Sequence, residues 1–339
     1  MVDVSAASFD DWHIDGAVLW NVYTDLKDAD YHTIDPAAMQ QLLSRCGIGP
    51  DTTVVCYRYS PALGFWLLTL FGHADVRILD CSRAAWRAGG YPWSTAPSRL
   101  PGTSYRLGNP DPRLRATRMD VHDAIDDPGT TLLDVRSRPE YDGERFWPSG
   151  AMDPHGRAGH VPSAVHQPIE DPYDSRGAFL PADELRRAFS SVDLGGTGEL
   201  ITYCTIGGRA TTAWFVLTQL LARDRVRVYD GSWAEWGRTP DTPVGTTHPQ
   251  PTGVTAMPGL IRMSLDTPGA RRLPRVVVLG EAAHRARTPQ PPGTHCRPAM
   301  RGPRRRRYRV RRRQRRIKPG SALGNRTDSS RTCAPWNVG

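Results

Sequence analysis

The chain has 339 residues and 44 Lys+Arg against 35 Asp+Glu, a formal charge of +9, with room for about two domains that each support a core. That charge is unevenly placed: Thr242–Gly339 holds 21 basic and 3 acidic residues, while the first 241 hold 23 basic and 32 acidic, or −9. An acidic body with a basic tail confines to the tail the nucleic-acid role that the total suggests. The start, MVDVSAASFDDWH, lacks the basic and apolar regions of a signal peptide, and the apolar stretch near Leu63–Phe71 is far short of the roughly 20 residues needed to span a bilayer. Six scattered cysteines without a CxxC pair exclude a disulfide framework. A reduced, cytoplasmic protein without membrane attachment is expected.

In chain order, short β-branched or apolar runs alternate with longer amphipathic stretches. Thr53–Cys56, Val76–Leu79, Thr131–Val135, Leu200–Tyr203 and Val226–Tyr229 read as buried strands. Asp35–Cys46, Ala62–Phe71, Ala182–Ser190 and Thr211–Ala222 read as helices. The expected fold class is α/β, with mostly parallel sheets flanked by helices.

Two halves repeat. His13-Ile-Asp-Gly-Ala is answered 147 positions later by His160-Val-Pro-Ser-Ala, and the helix around Trp66 by that around Trp214, at 148. Val76-Arg-Ile-Leu-Asp-Cys-Ser-Arg-Ala-Ala-Trp86 is answered at 150 by Val226-Arg-Val-Tyr-Asp-Gly-Ser-Trp-Ala-Glu-Trp236. A period this long is a duplicated domain. The first half begins almost at its first strand, so a truncated or misassigned start is expected. The Pro/Ser/Gly-rich stretch from Trp93 opens a linker, 94–117. Beyond Asp241 the pattern fails: Thr242–Gly339 holds 13 of the 30 prolines, and Arg301–Lys318 has 12 basic residues in 18. Such a segment buries too little apolar surface to fold. It reads as a solvated extension or the translation of a non-native frame; the rival, a nucleic-acid- or membrane-directed basic arm, lacks interleaved aromatic residues apart from Tyr308.

The chemistry concentrates in Glu199-Leu-Ile-Thr-Tyr-Cys204-Thr-Ile-Gly-Gly-Arg209. A buried strand ends at a cysteine, two glycines follow, and a helix begins. Glycines let successive N–H groups turn inward as an anion nest, and the helix N-terminus adds its positive end. Both favour a thiolate, the nucleophilic form of Cys. Cysteine phosphatases space Cys and Arg by five residues. Here four intervene, and Ala210 stands where their arginine would be. The shorter loop suits one sulfur atom carried on Cys204.

These residues resemble a tandem rhodanese, a thiosulfate sulfurtransferase, from about Val2 to Val244. The likeness rests on Leu132-Leu-Asp-Val-Arg-Ser-Arg-Pro-Glu-Tyr141, Gly159-His-Val-Pro-Ser-Ala164, Ala178-Phe with Glu184-Leu, the Cys204 loop, and Val228-Tyr-Asp-Gly-Ser-Trp-Ala-Glu-Trp236. It implies a degenerate rhodanese-like domain over 1–93, a catalytic one over 118–241 and a disordered tail over 242–339. The resemblance further implies that Cys204 takes a sulfane sulfur from thiosulfate, holds it as a persulfide and yields it to cyanide or a thiol. Thr205, Ile206, Gly207, Gly208 and Arg209 would bind the substrate, with Arg209 the cation for the dianionic donor. Asp134 and Arg136 would hold the loop or rim, and Asp230 and Ser232 the turn beside it. Glu140 stands where some relatives place a second substrate-binding arginine; Arg145 and Arg157 are candidates to replace it. His160 reads as a turn residue. Cys56, counted back from Trp66, is the first-half counterpart of Cys204, in a loop without glycine that cannot form the nest.

No cofactor or metal is expected. The partners implied are a small-molecule sulfur donor and acceptor, with a thiol protein as a further acceptor; nucleic acid enters only through the tail. Two alternatives stay open: a rhodanese-like sulfur-relay or regulatory module, and a 3-mercaptopyruvate sulfurtransferase. One cation in the loop favours thiosulfate.

Overall fold

A computed structural model describes residues 2, 3, 9, 11–98, 100–169 and 172–247. The expectations for the tail, including Tyr308 and the Arg301–Lys318 run, lie outside the described residues.

The first half contributes β1 (Val2–Asp3), β2 (His13–Ile14), β3 (Val18–Leu19), α1 (Pro36–Arg45), β4 (Val54–Tyr57), α2 (Pro61–Leu70), β5 (Val76–Ile78), α3 (Arg83–Ala88) and β6 (Trp93–Ser94). The second contributes β7 (Arg115–Ala116), α4 (Arg118–Asp123), β8 (Thr130–Asp134), α5 (Arg138–Asp142), β9 (Val165–His166), α6 (Ala182–Ala188), β10 (Glu199–Tyr203), α7 (Gly208–Phe215), β11 (Val226–Tyr229) and α8 (Ser232–Trp236). A π-helical turn, Val216–Leu220, continues α7.

Two all-parallel sheets result, ordered β3-β1-β4-β5 and β9-β8-β10-β11-β7. Their orders coincide, with β7 added to the edge of the second. That added strand, Arg115–Ala116, falls inside the segment read as linker. An antiparallel ribbon of β2 and β6 lies beside the first sheet's elements. Four of the five runs read as strands, β4, β8, β10 and β11, are interior to their sheets, where a strand covered on both faces is apolar throughout, and β5 is an edge. The two-residue strands give too short a pattern to read.

Local chemistry sets the helix ends. Asp35 caps α1, its carboxylate accepting from Ala38 N–H at 2.8 Å, and Pro36 supplies the first helical φ. Helix α2 is buried on nearly all sides, as its all-round apolar sequence requires. It packs on α7 across the junction of the halves, where Phe65 meets Phe215 edge-on at 5.0 Å between ring centroids. One apolar core runs through both, from Leu63 and Leu67 to Ala210 and Leu217.

The register revises the equivalence of Cys56. Val54 lies opposite Val76 and Cys56 opposite Ile78, while Leu200 lies opposite Val226 and Thr202 opposite Val228. The Tyr57 hydroxyl accepts from Ile14 N–H at 3.3 Å, and the Tyr203 hydroxyl accepts from Val161 N–H at 3.1 Å. Cys56 is therefore the counterpart of Thr202, and Arg58 that of Cys204. Counting from the tryptophan carried a difference in turn length into the strand.

Candidate active site

Cys204 follows β10 directly and is buried. Its Sγ accepts from the N–H of Gly207 at 3.1 Å. Gly207 has φ +93°, a conformation that costs an ordinary residue roughly 1–2 kcal/mol. This turn carries the chain into α7, whose first residues point their N–H groups toward the loop. A Cβ on Gly207 would lie 2.9 Å from the carbonyl oxygen of Asp230 and 3.1 Å from Lys27 Nζ. Glycine is required twice over, by conformation and by space.

The loop is held from below by the turn before α8. Ser232 Oγ accepts from Cys204 N–H at 3.1 Å and donates to the Tyr229 carbonyl at 2.8 Å. The N–H groups of Trp233 and Ala234 donate to the carbonyls of Cys204 and Thr205, both at 2.9 Å. Ser232 thus reaches the loop directly. Asp230 reaches elsewhere: its carboxylate accepts from Thr33 N–H at 3.0 Å, Thr33 Oγ1 at 2.7 Å and Arg115 Nε at 2.7 Å. Burial alone would raise its carboxyl, yet Lys27, Arg115 and Thr33 together hold it below the usual carboxylate range.

Arg209 is placed differently from the sequence reading. Its guanidinium grips Glu140 in a two-pronged bridge, Nη2–Oε1 2.7 Å and Nη1–Oε2 2.9 Å, and donates to Thr205 Oγ1 at 2.8 Å. Thr205 Oγ1 donates in turn to Glu140 Oε1 at 2.6 Å. Glu140 is 1% exposed and also accepts from Ser137 at the start of α5. Despite burial, Arg209, Ser137 and Thr205 hold its carboxyl down to about 2. The cation assigned to an anionic donor is therefore compensated within the protein, and Glu140 is a structural partner of the loop. Among the other loop residues, Gly208 faces Ser60 of the first half, and Ile206 is half-buried.

Asp134 and Arg136 form a fully buried pair, Nη2–Oδ2 2.5 Å. Arg136 also donates to the Gly159 carbonyl and lies over the Trp233 ring at 4.5 Å. They support the loop through Trp233 and do not reach its rim. Arg145 donates to Ser137 Oγ, beside Glu140, whereas Arg157 is spent on Thr239 and Thr242. His160 stacks on Tyr141 at 3.8 Å and bonds its carbonyl through Nδ1, a turn residue as read.

The first half supplies groups that the sequence reading missed: Lys27, Thr33, Tyr59 and Ser60. Tyr59 is 51% exposed, and it adjoins Ser60, which faces Gly208. Burial pushes the Cys56 thiol up to about 12, an unreactive core group. A separate groove of about 680 Å³, lined by Asp111, Arg113, Glu199, Arg223 and Arg227, lies by the opposite ends of β10 and β11. No helix among the described residues is long and apolar enough to cross a membrane.

A parallel α/β sheet that presents a buried cysteine at a strand end, over a left-handed glycine and a helix start, defines a cysteine-centred loop protein. The Rhodanese-like domain family model matches residues 117–239. The chain is 36% identical over 252 residues to "Putative thiosulfate sulfurtransferase" of Mycolicibacterium smegmatis, covering 72% of this chain and 89% of that one. To "Putative thiosulfate sulfurtransferase SseA" of Mycobacterium leprae it is 39% identical over 252 residues, 71% and 83% of the two chains. The chain belongs to the rhodanese-like sulfurtransferase family. Among solved structures it is similar in fold to the anaerobic ergothioneine biosynthesis enzyme from Chlorobium limicola, with TM-score 0.63, 24% identity and 73% of this chain covered. It spans 64% of that chain.

Proposed function

We propose that the protein moves a sulfane sulfur from thiosulfate to a thiophilic acceptor, cyanide or a thiol, through a persulfide on Cys204. The observation that carries this reading is the Cys204 sulfur held by the Gly207 N–H at a strand end. The Cys204 thiolate attacks the outer sulfur of thiosulfate. A new S–S bond forms as the donor's S–S bond breaks, and the electron pair leaves with sulfite. Charge is conserved, since a thiolate and a dianion become a persulfide anion and a dianion. The acceptor then attacks the outer persulfide sulfur and restores the thiolate. Loop N–H groups fixed before the reaction stabilise both anions without reorganising. The names of the relatives support thiosulfate as donor.

The coincident sheet orders support a two-domain reading, 1–93 as a non-catalytic rhodanese-like domain and 118–241 as the catalytic one, descended from one duplicated unit. In this reading Thr205, Gly207 and Gly208 line the sulfur, while Arg209 and Glu140 fix the loop. The partners proposed are the small-molecule donor and acceptor, with a thiol protein as acceptor.

One observation favours a second reading. With Arg209 closed on Glu140, no side chain of the loop offers a free cation to a dianion, which suits a sulfur-relay module or a 3-mercaptopyruvate sulfurtransferase. Purified protein with thiosulfate and cyanide decides: sulfite release at a turnover that Cys204→Ser abolishes supports the first reading. Release of pyruvate from mercaptopyruvate without sulfite from thiosulfate supports the second.

A further inference from the structure

Of 44 basic residues in the chain, two are lysine: Lys27 and Lys318. Lys27 lies in the first half, between β3 and α1, and is 3% exposed. Its Nζ donates to the carbonyl of Asp230 at 3.2 Å, across 203 positions of sequence. It rests against Gly207, where an added Cβ would lie 3.1 Å from it, and Gly207 is the residue whose N–H meets the Cys204 sulfur. Among the described residues no carboxylate forms a close ion pair with this ammonium, since Asp230 directs its oxygens to Thr33 and Arg115. A buried ammonium without a bound carboxylate is costly and marks a functional site more often than a structural one.

The surroundings say which charge it serves. Burial lowers Lys27, while Asp230, Cys204 and Asp28 favour its charged form and Arg115 opposes it. Facing Cys204 are Lys27, Arg209 and Tyr59. Arg209 is neutralised by Glu140, and Arg115 is paired with Asp230. Among the described residues Asp230 is shared by Lys27 and Arg115, so these three groups together leave one net positive charge, and Lys27 is the cation that lies against the Gly207 turn.

We propose that the Lys27 ammonium is the counter-cation of the Cys204 sulfur, stabilising the thiolate before attack and the persulfide after it. This rests on the reading of Cys204 as the sulfur carrier. Lys27 acts from behind the loop, through space and through the Gly207 peptide, and leaves the mouth open to donor and acceptor. The first half is then an electrostatic component of the site as well as a wall.

The test is the pH profile of Cys204 alkylation by iodoacetamide, read as modified Cys204 peptide by mass spectrometry, in the full chain with wild type, Lys27→Met and Lys27→Arg. The midpoint should rise by about one unit or more in Lys27→Met and return toward wild type in Lys27→Arg. Equal midpoints in all three would overturn the proposal. Should Lys27→Met fail to fold, the reciprocal shift is measured in protein labelled with ¹³C at lysine Cε, where Lys318→Arg leaves one signal. Linkage requires the Lys27 midpoint to fall when Cys204→Ser removes the anion; an unchanged midpoint overturns the proposal too. Neither readout uses thiosulfate, so loss of the donor assignment and loss of this inference are separate results.

Discussion

The turns after β4 and β10 start from the same scaffold and end in opposite chemistry. Each follows a central parallel strand that closes on a tyrosine, Tyr57 or Tyr203, whose hydroxyl accepts from a backbone N–H at the corresponding place in each half, that of Ile14 or Val161. Each enters its helix through a left-handed residue, Ser60 at φ +48° or Gly207 at φ +93°. In the second half the turn is Cys204–Gly207, and the Gly207 N–H faces the sulfur. In the first it is Arg58–Ser60, one residue shorter, and Pro61 removes the N–H that begins the helix. The short turn instead brings Tyr59 and Ser60 to the rim of the other loop. In the proposed duplication, one half lacks the anion nest and lends Ser60 to the rim of the other's loop.

The largest expected effect separates the two cysteines. Cys204→Ser should lower sulfite release from thiosulfate by about 10³-fold or more, while Cys56→Ser should change it by no more than about twofold. Equal losses would erase the distinction between the halves.

Next in size is the clamp that the first half lacks. Replacing Glu140 with Gln should cost roughly 3 kcal/mol in urea denaturation at pH 7, from a carboxyl held down to about 2 against an ordinary 4.5. A carboxyl lowered by folding contributes its stability fully above pH 4.5 and loses it as pH falls toward 2. The gap between wild type and Glu140→Gln should therefore close across that window, and a gap constant with pH would contradict the clamp.

Smaller effects come from the two left-handed residues. Gly207→Ala should destabilise by about 2 kcal/mol, because it adds strain and crowds the Asp230 carbonyl and Lys27. Ser60→Gly should gain up to about 1 kcal/mol, since it relieves strain where no sulfur has to be held. Thermal denaturation of both variants checks the pair, and shifts of the same sign would break the comparison.

Sequence revealed the parts of this architecture that depend on near neighbours. The apolar runs of β4, β8, β10 and β11, the Cys204 loop with its glycines and the Ser232 turn are all local patterns. Helix α7 began three residues earlier than its reading because Gly207 caps it in the left-handed region. The pairing of Arg209 with Glu140 spans 69 positions, and that of Lys27 with Asp230 spans 203. Such partners leave no periodic trace. Glu140 was noticed as a missing arginine, and its use as a clamp emerged only from the fold. Lys27 did carry a signal, its rarity in an arginine-rich chain.

The most direct test of the account is the mass of the Cys204 peptide after thiosulfate treatment of the intact protein under non-reducing conditions. One added sulfur on Cys204, removed by cyanide and absent from the Cys56 peptide, is the predicted result. An unmodified Cys204 peptide, or sulfur carried on Cys56, would contradict it.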